Sequence, residues 1–272
     1  MKKFFLIALF VGSLICGCDS TPNKTGSEAS SNTSSDVTKS PANVMVLCDV
    51  STSVSENDKP NAQSMACIRD MIKGCQQLLK HYPPGSRLTY YLIASNAEAK
   101  PFLDFTAPEV YQTSKYDVQD SLNAKSGRIK TYLDSAALHA ENKTCILTSV
   151  RHAFDQFQNM SRSKRNELII YSDMREQCTI SPVGNVQMAL KADAILDPDQ
   201  RKKFIAYKGQ DSWPSLDVRV HVIMNTPYMT PQVSDQIRDV WTQIFHNLTG
   251  NRSKDQVTFE TDPDFQAVED YL

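Results

Sequence analysis

At 272 residues, with 40 % hydrophobic and 22 % charged side chains, the chain has the material for a full core and an ordinary globular composition. A formal net charge of −2 leaves no basic footprint for nucleic acid. The seven cysteines do not follow the pattern of a small disulfide scaffold, which a chain this long has no need of; one large domain behind an N-terminal targeting segment is expected.

Residues 1–18 read as a secretory signal. Lys2 and Lys3 form its basic end, and Phe4 to Ile15 is an apolar segment of about a dozen residues, too short to span a bilayer. It closes on Ile15-Cys16-Gly17-Cys18. A small residue directly before Cys18 resembles a bacterial lipoprotein box, which implies a lipidated Cys18 as mature N-terminus and a stable anchor through two or more acyl chains. Cys16, behind bulky Ile15, is the poorer acceptor, and an ordinary cleaved signal with incidental cysteines is the alternative. Asp19 resembles the inner-membrane retention signal of enterobacterial lipoproteins. The resemblance thus implies a periplasm-facing, lipid-anchored protein of the bacterial cell envelope, leaning to the inner membrane. Residues 19–42, dominated by Ser and Thr with Asn, Gly and Pro, cannot bury enough apolar surface to offset their ordering entropy and read as a flexible tether. Asn32-Thr33-Ser34 matches a glycosylation acceptor, but a bacterial lipoprotein signal speaks against its use.

The folded domain is expected over residues 43–272. Val44 to Cys48 is apolar without alternation, the pattern of a strand buried on both faces, and it breaks into Asp49, Ser51 and Ser53 at the carboxyl edge, where open α/β sheets hold their ligands. Met65, Ile68, Ile72, Cys75 and Leu79 form a helical stripe that must end before Pro83-Pro84-Gly85. Arg87 to Ala94 alternates, with Leu88, Tyr90, Leu92 and Ala94 on one side, and Phe102 to Phe105 reads as a short edge strand. Residues 107–140 carry a weaker helical pattern: Ile129, Tyr132, Leu133, Ala136 and Ala137 form a stripe, with Ser126-Gly127 interrupting upstream.

Thr144 stands at the head of a helix with Leu147, Val150, Phe154 and Phe157 inward. Ser161 to Asn166 reads as a solvated basic turn, and Leu168 to Tyr171 as a buried strand closed by Ser172-Asp173-Met174. Residues 179–214 are ambiguous: Val186 to Ala194 fits strand or helix, Leu196 to Tyr207 a polar helix, and Trp213 an exposed contact residue. Leu216 to Met224 alternates as a core strand. Ser234 to Leu248 is amphipathic with Trp241 in the core and stops at Gly250, and Gln256 to Glu260 reads as the last edge strand.

Asp49, Ser51 and Ser53 after a strand, Thr144 before a helix and Asp173 after a later strand together resemble the metal-ion-dependent adhesion site of the von Willebrand factor type A domain. The glycines that usually precede the threonine are absent. The resemblance implies an α/β fold, a doubly wound, mostly parallel central sheet flanked by helices in the Rossmann-like manner. It also implies one divalent ion, Mg2+ or Mn2+, at Asp49, Ser51, Ser53, Thr144 and Asp173. The hydroxyls would be neutral oxygen ligands and the two aspartates would supply charge. So few carboxylates leave the ion electrophilic toward an Asp or Glu of a protein partner. The implied function is therefore metal-dependent binding without catalysis, with a metal-independent structural or assembly role as the alternative; plain helix capping is the blander reading of the same residues.

Two enzyme patterns fit less well. A haloacid-dehalogenase phosphatase carries a second Asp two after the first, where this chain has Ser51. Cys145 and Arg151 have the Cys-x5-Arg spacing of cysteine phosphatases, but the residues between lack glycine. The five histidines have no zinc-ligand spacing. Cys67 and Cys75, about 12 Å apart along one helix, are too distant to bond. Cys48 ends a buried strand as a small hydrophobe. Cys145 and Cys178 each follow a metal loop by a few residues, and a disulfide between them is expected to brace the site.

Overall fold

The apolar run after Pro41 forms the first strand, β1 (Ala42–Cys48), starting one residue before the expected domain boundary, with all seven residues buried. Met45 and Leu47 join one core cluster, and Val44, Val46 and Cys48 the other. An unalternating apolar run has this meaning in a strand, because successive side chains point to opposite faces. The computed structural model describes residues 40–51, 62–93, 100–109, 114–139, 144–160, 164–176, 178, 197–206, 213–214, 216–224, 229–250 and 256–261, all within the compact unit Thr38–Leu272. The signal segment, most of the tether, Ser53 and Val186 to Ala194 lie outside them.

After β1 come α1 (Ala62–His81), β2 (Arg87–Leu92), β3 (Leu103–Thr106), α2 (Lys115–Leu138), α3 (Ile146–Gln158), β4 (Arg165–Tyr171), α4 (Pro198–Ala206), β5 (Val218–Ile223), α5 (Pro231–Thr249) and β6 (Val257–Glu260). The strands form one sheet in the order β3-β2-β1-β4-β5-β6. Every pair is parallel except the edge pair β2–β3. The chain runs outward from β1 through β2 to β3 and then crosses back to β4, so the winding reverses between β1 and β4. In a doubly wound sheet the ligand crevice opens at the carboxyl ends of those two strands. Apolar side chains of α1 and α2 cover one face, and those of α3, α4 and α5 the other.

Among the described residues the structure departs from the sequence pattern in several places, the first being that β4 already begins at Arg165, inside the expected basic turn. Helix α2 runs unbroken through Ser126 and Gly127. A Cβ at Gly127 would meet nothing, so this glycine sits on an open flank where it costs about 1 kcal/mol of helix propensity. Burial of Ile129, Leu133 and Ala137 and the Ser114 cap on Asp117 N–H carry the helix past it. Tyr132 faces out, 44 % exposed, stacked on Phe102 with ring centroids 4.5 Å apart. In β2 and β5 the alternation gives way to burial on both sides: Thr89 and Tyr91 are buried with Leu88 and Tyr90, and His221 with Val220 and Val222. Interior parallel strands have no solvent face. Trp213 is buried, not exposed; its indole N–H donates to Asp155 Oδ1 at 3.1 Å and its ring meets Phe154 edge-on.

Helix α5 shows why the last apolar stripe stops where it does. Thr230 caps its first turn, Pro231 opens it, and Gly250 closes it in the left-handed region at φ 74°. A Cβ there would also press on Pro214, at 3.1 Å from its Cβ.

Candidate functional site

Where β1 ends, its backbone stays paired with β4: the Asp49 N–H donates to Tyr171 O at 2.9 Å. Asp49 and Ser172 therefore leave the sheet side by side at the winding reversal. The Asp49 carboxylate accepts the Ser51 N–H on Oδ1 at 2.9 Å and the Ser172 hydroxyl on Oδ2 at 2.6 Å, and the Ser51 side chain adds to these. Ser172 Oγ in turn accepts the Met174 N–H at 2.9 Å. Asp173 closes its own turn, Oδ1 accepting the Arg175 N–H at 2.9 Å, with Arg175 Nε 3.9 Å from Oδ2. The turn requires a left-handed residue at Met174, φ 59°. For a residue with a Cβ that costs about 1–2 kcal/mol, offset here by full burial of the side chain and by the Trp241 indole N–H donating to Met174 O at 2.9 Å.

Thr144 approaches from the other connection. It is fully buried, and its hydroxyl has no hydrogen-bond partner among the described residues. It precedes Cys145, the N-cap of α3, which supplies no side-chain cap. Glu176 does that work from across the site: Oε2 accepts the Leu147 N–H at 2.8 Å while Oε1 accepts the Cys178 N–H at 2.9 Å. An acid at a helix N-terminus also complements the helix dipole. The Cys145–Cys178 disulfide, Cα to Cα 5.0 Å, spans the same gap. The Thr144 loop and the loop after Asp173 are thus tied by a covalent bond and by a bridging carboxylate.

Asp49, Ser51, Thr144 and Asp173 accordingly lie at one edge of the sheet. The sequence pattern assigned no role to Ser172 or Glu176, both of which organise that edge. Ser172 is legible as the residue opposite Asp49 once the β1–β4 pairing is known. Glu176 carries no local pattern at all. Cys145 lies in the disulfide and residues 146–151 are helical, so the Cys-x5-Arg spacing forms no phosphate cradle. Cys48 and Cys75 are buried with sulfurs 3.5 Å apart, and burial pushes the Cys75 thiol well up.

Burial dominates the electrostatics of this edge. Burial raises the Asp49 carboxyl above the ordinary range, against the pull of the Ser172 and Ser51 hydrogen bonds. Burial pushes Glu176 up to about 7, against the backbone N–H groups of Leu147, Cys178 and Ile146, and the nearby Asp49 charge adds to the rise. Oxygen donors, an orphaned buried hydroxyl and carboxylates penalised for ionising are what a small hard dication accommodates. The residues present fit such an ion.

No family model and no curated protein matches the chain. Solved structures similar to it include proximal thread matrix protein 1 from the mussel byssus, at 12 % identity and TM-score 0.45, over 85 % of this chain and 47 % of that one. A von Willebrand factor type A protein of Catenulispora acidiphila has 13 % identity and TM-score 0.40, over 85 % and 41 %. Manganese-loaded TRAP protein of Plasmodium vivax has 8 % identity and TM-score 0.40, over 85 % and 72 %. The chain spans less than half the length of the first two. The fold is a doubly wound, mostly parallel α/β sheet flanked by helices, as the resemblance to the von Willebrand factor type A domain implies.

Proposed function

We propose that this domain binds one divalent cation, Mg2+ or Mn2+, through Asp49, Ser51, Ser53, Thr144 and Asp173, and through it an acidic side chain of a protein partner at the bacterial cell envelope. The observation that carries the reading is the Thr144 hydroxyl, fully buried and without a hydrogen-bond partner among the described residues, at the edge where Asp49 and Asp173 emerge. Leaving such a hydroxyl unsatisfied costs about 1–3 kcal/mol, and a ligand oxygen role removes that cost. A bound dication supplies an electrophilic centre for a carboxylate. The protein's part is to hold the oxygens, Asp49 through Ser51 and Ser172, and Thr144 through the tie between α3 and the loop after Asp173. The domain acts by binding and not by catalysis, and a lipid on Cys18 keeps it at the membrane, periplasm-facing.

A metal-independent assembly role is the second reading. It is favoured by the hydrogen bonds that Asp49 and Asp173 already accept, which hold both loops without an ion. The discriminating measurement is thermal unfolding with and without Mg2+. A ligand at one hundred times its Kd stabilises by about 2.7 kcal/mol, so wild type should melt higher with Mg2+ while Asp49→Ala does not respond. Equal responses in the two proteins point to the second reading. Anchoring is tested separately: Cys18→Ser should leave the membrane fraction or accumulate as unprocessed precursor.

A further inference from the structure

We propose that Cys145, Cys178 and Glu176 form a second metal site, one that takes a thiophilic divalent cation such as Zn2+ when the disulfide between the two cysteines is reduced. Their ligand atoms, two sulfurs and a carboxylate oxygen, all lie within 4.8 Å of one another. Zinc bonds of about 2.3 Å to sulfur and 2.0–2.2 Å to oxygen set donors on one ion roughly 4 Å apart. The carboxylate oxygen is already within reach of both sulfurs, and the sulfurs, bonded to each other in the disulfide, move apart to that spacing on reduction. The carboxylate is already oriented, since Leu147 and Cys178 donate their N–H groups to its two oxygens. Such outer hydrogen bonds are what a ligating carboxylate needs. Glu176 and Cys145 are buried and Cys178 is partly exposed, which gives the ion a route in from the Cys178 side. Three protein ligands leave a fourth position for water. The set is soft where the Asp49 site is all oxygen, so the two sites select different ions.

Opening the site is a two-electron step. A reduced dithiol protein gives two electrons and two protons, the Cys145–Cys178 bond breaks to two thiols, and the donor becomes a disulfide. Zn2+ then displaces both thiol protons as it binds. Because only the dithiol form binds, the ion draws the couple toward reduction. The site would therefore load in a reducing setting and close in an oxidising one.

The test uses the full chain and Cd2+ as probe, read by its sulfur-to-metal charge-transfer absorption, with Zn2+ as competitor. In a phosphine reductant, wild type should take up one Cd2+ per chain and show the band; oxidised wild type should not, a comparison that needs no variant. C145S/C178S in the same reductant keeps the other thiols and should lose the band. E176Q keeps both thiols and should bind at least tenfold more weakly, since loss of a ligand costs no less than loss of an outer-shell partner. Asp49→Ala should bind Cd2+ like wild type, which separates this site from the hard-ion site. No uptake by reduced wild type, an equal band in C145S/C178S, or unchanged affinity in E176Q would each overturn the proposal.

Discussion

Ser172 Oγ donates to Asp49 Oδ2 at 2.6 Å, joining the carboxyl ends of β1 and β4 across the site. The same oxygen accepts the Met174 N–H, so one hydroxyl fixes both a carboxylate and a left-handed turn. Ser172→Ala removes both bonds at once. A hydrogen bond to a charged group contributes about 1.5–3 kcal/mol, and the variant should lose about that much in urea unfolding. Its response to Mg2+ should persist, because Asp49 itself remains. A loss under about 0.5 kcal/mol, the range of an inert surface change, would show that the pair does not hold the edge together.

Thr144→Val tests the orphaned hydroxyl. Valine keeps the shape and removes an oxygen that no described group satisfies, so the metal-free protein should gain up to about 1–3 kcal/mol. The same substitution deletes a neutral ligand and should shrink or abolish the rise in Tm with Mg2+. Opposite signs in the two conditions are the signature. If the variant is less stable without metal and responds to Mg2+ like wild type, Thr144 is a packing residue only.

The frame of this site is written in local pattern, and its bracing is not. Val44 to Cys48 declares a doubly buried strand because nothing polar interrupts it, and Asp49, Ser51, Thr144 and Asp173 each abut an element whose periodicity can be read. Gly127 misleads because propensity is a weak prior beside the burial of Ile129 and Leu133. Trp213 misleads because its partners Asp155 and Phe154 lie on a helix far upstream. Glu176 is invisible for the same reason: its function is set by Leu147, and only the tertiary fold brings that amide to it.

Glu176 gives the metal-free protein a pH dependence. Its folded-state value of about 7 lies above the ordinary 4.5, so the folded protein holds this proton more tightly than the unfolded chain. The resulting stability is fully present below about pH 4.5 and is lost as pH rises through about 7, with a span on the order of 3 kcal/mol. His221 works the other way: burial lowers it to about 4, so its contribution is present above about pH 6.5 and lost as pH falls toward 4. Wild type should therefore weaken from pH 6 to pH 8 in oxidised, metal-free buffer. Glu176→Gln should flatten that limb and, because Glu176 opposes His221 between about pH 4.5 and 6.5, steepen the fall in stability toward acid. Parallel pH profiles for the two proteins would remove Glu176 as the cause.

Gly74 lets α1 approach the sheet directly behind the site. A Cβ there would fall 2.4 Å from the Tyr171 hydroxyl oxygen and 3.0 Å from Cζ, the carbon that carries it. Tyr171 ends β4 one residue before Ser172, and its own hydroxyl is buried with no partner among the described residues. Gly74→Ala should therefore destabilise by about 1–3 kcal/mol despite the better helix propensity of alanine, because overpacking must move the ring or the helix. Tyr171→Phe should be neutral or slightly stabilising, since it deletes an unsatisfied buried oxygen. In the double variant the closest clash is gone while the ring contact remains, so the alanine should cost clearly less than it does alone. Urea unfolding of the four proteins measures that coupling, expected between about 0.5 and 3 kcal/mol for residues in contact. Strict additivity would mean that the hydroxyl is not what keeps position 74 a glycine.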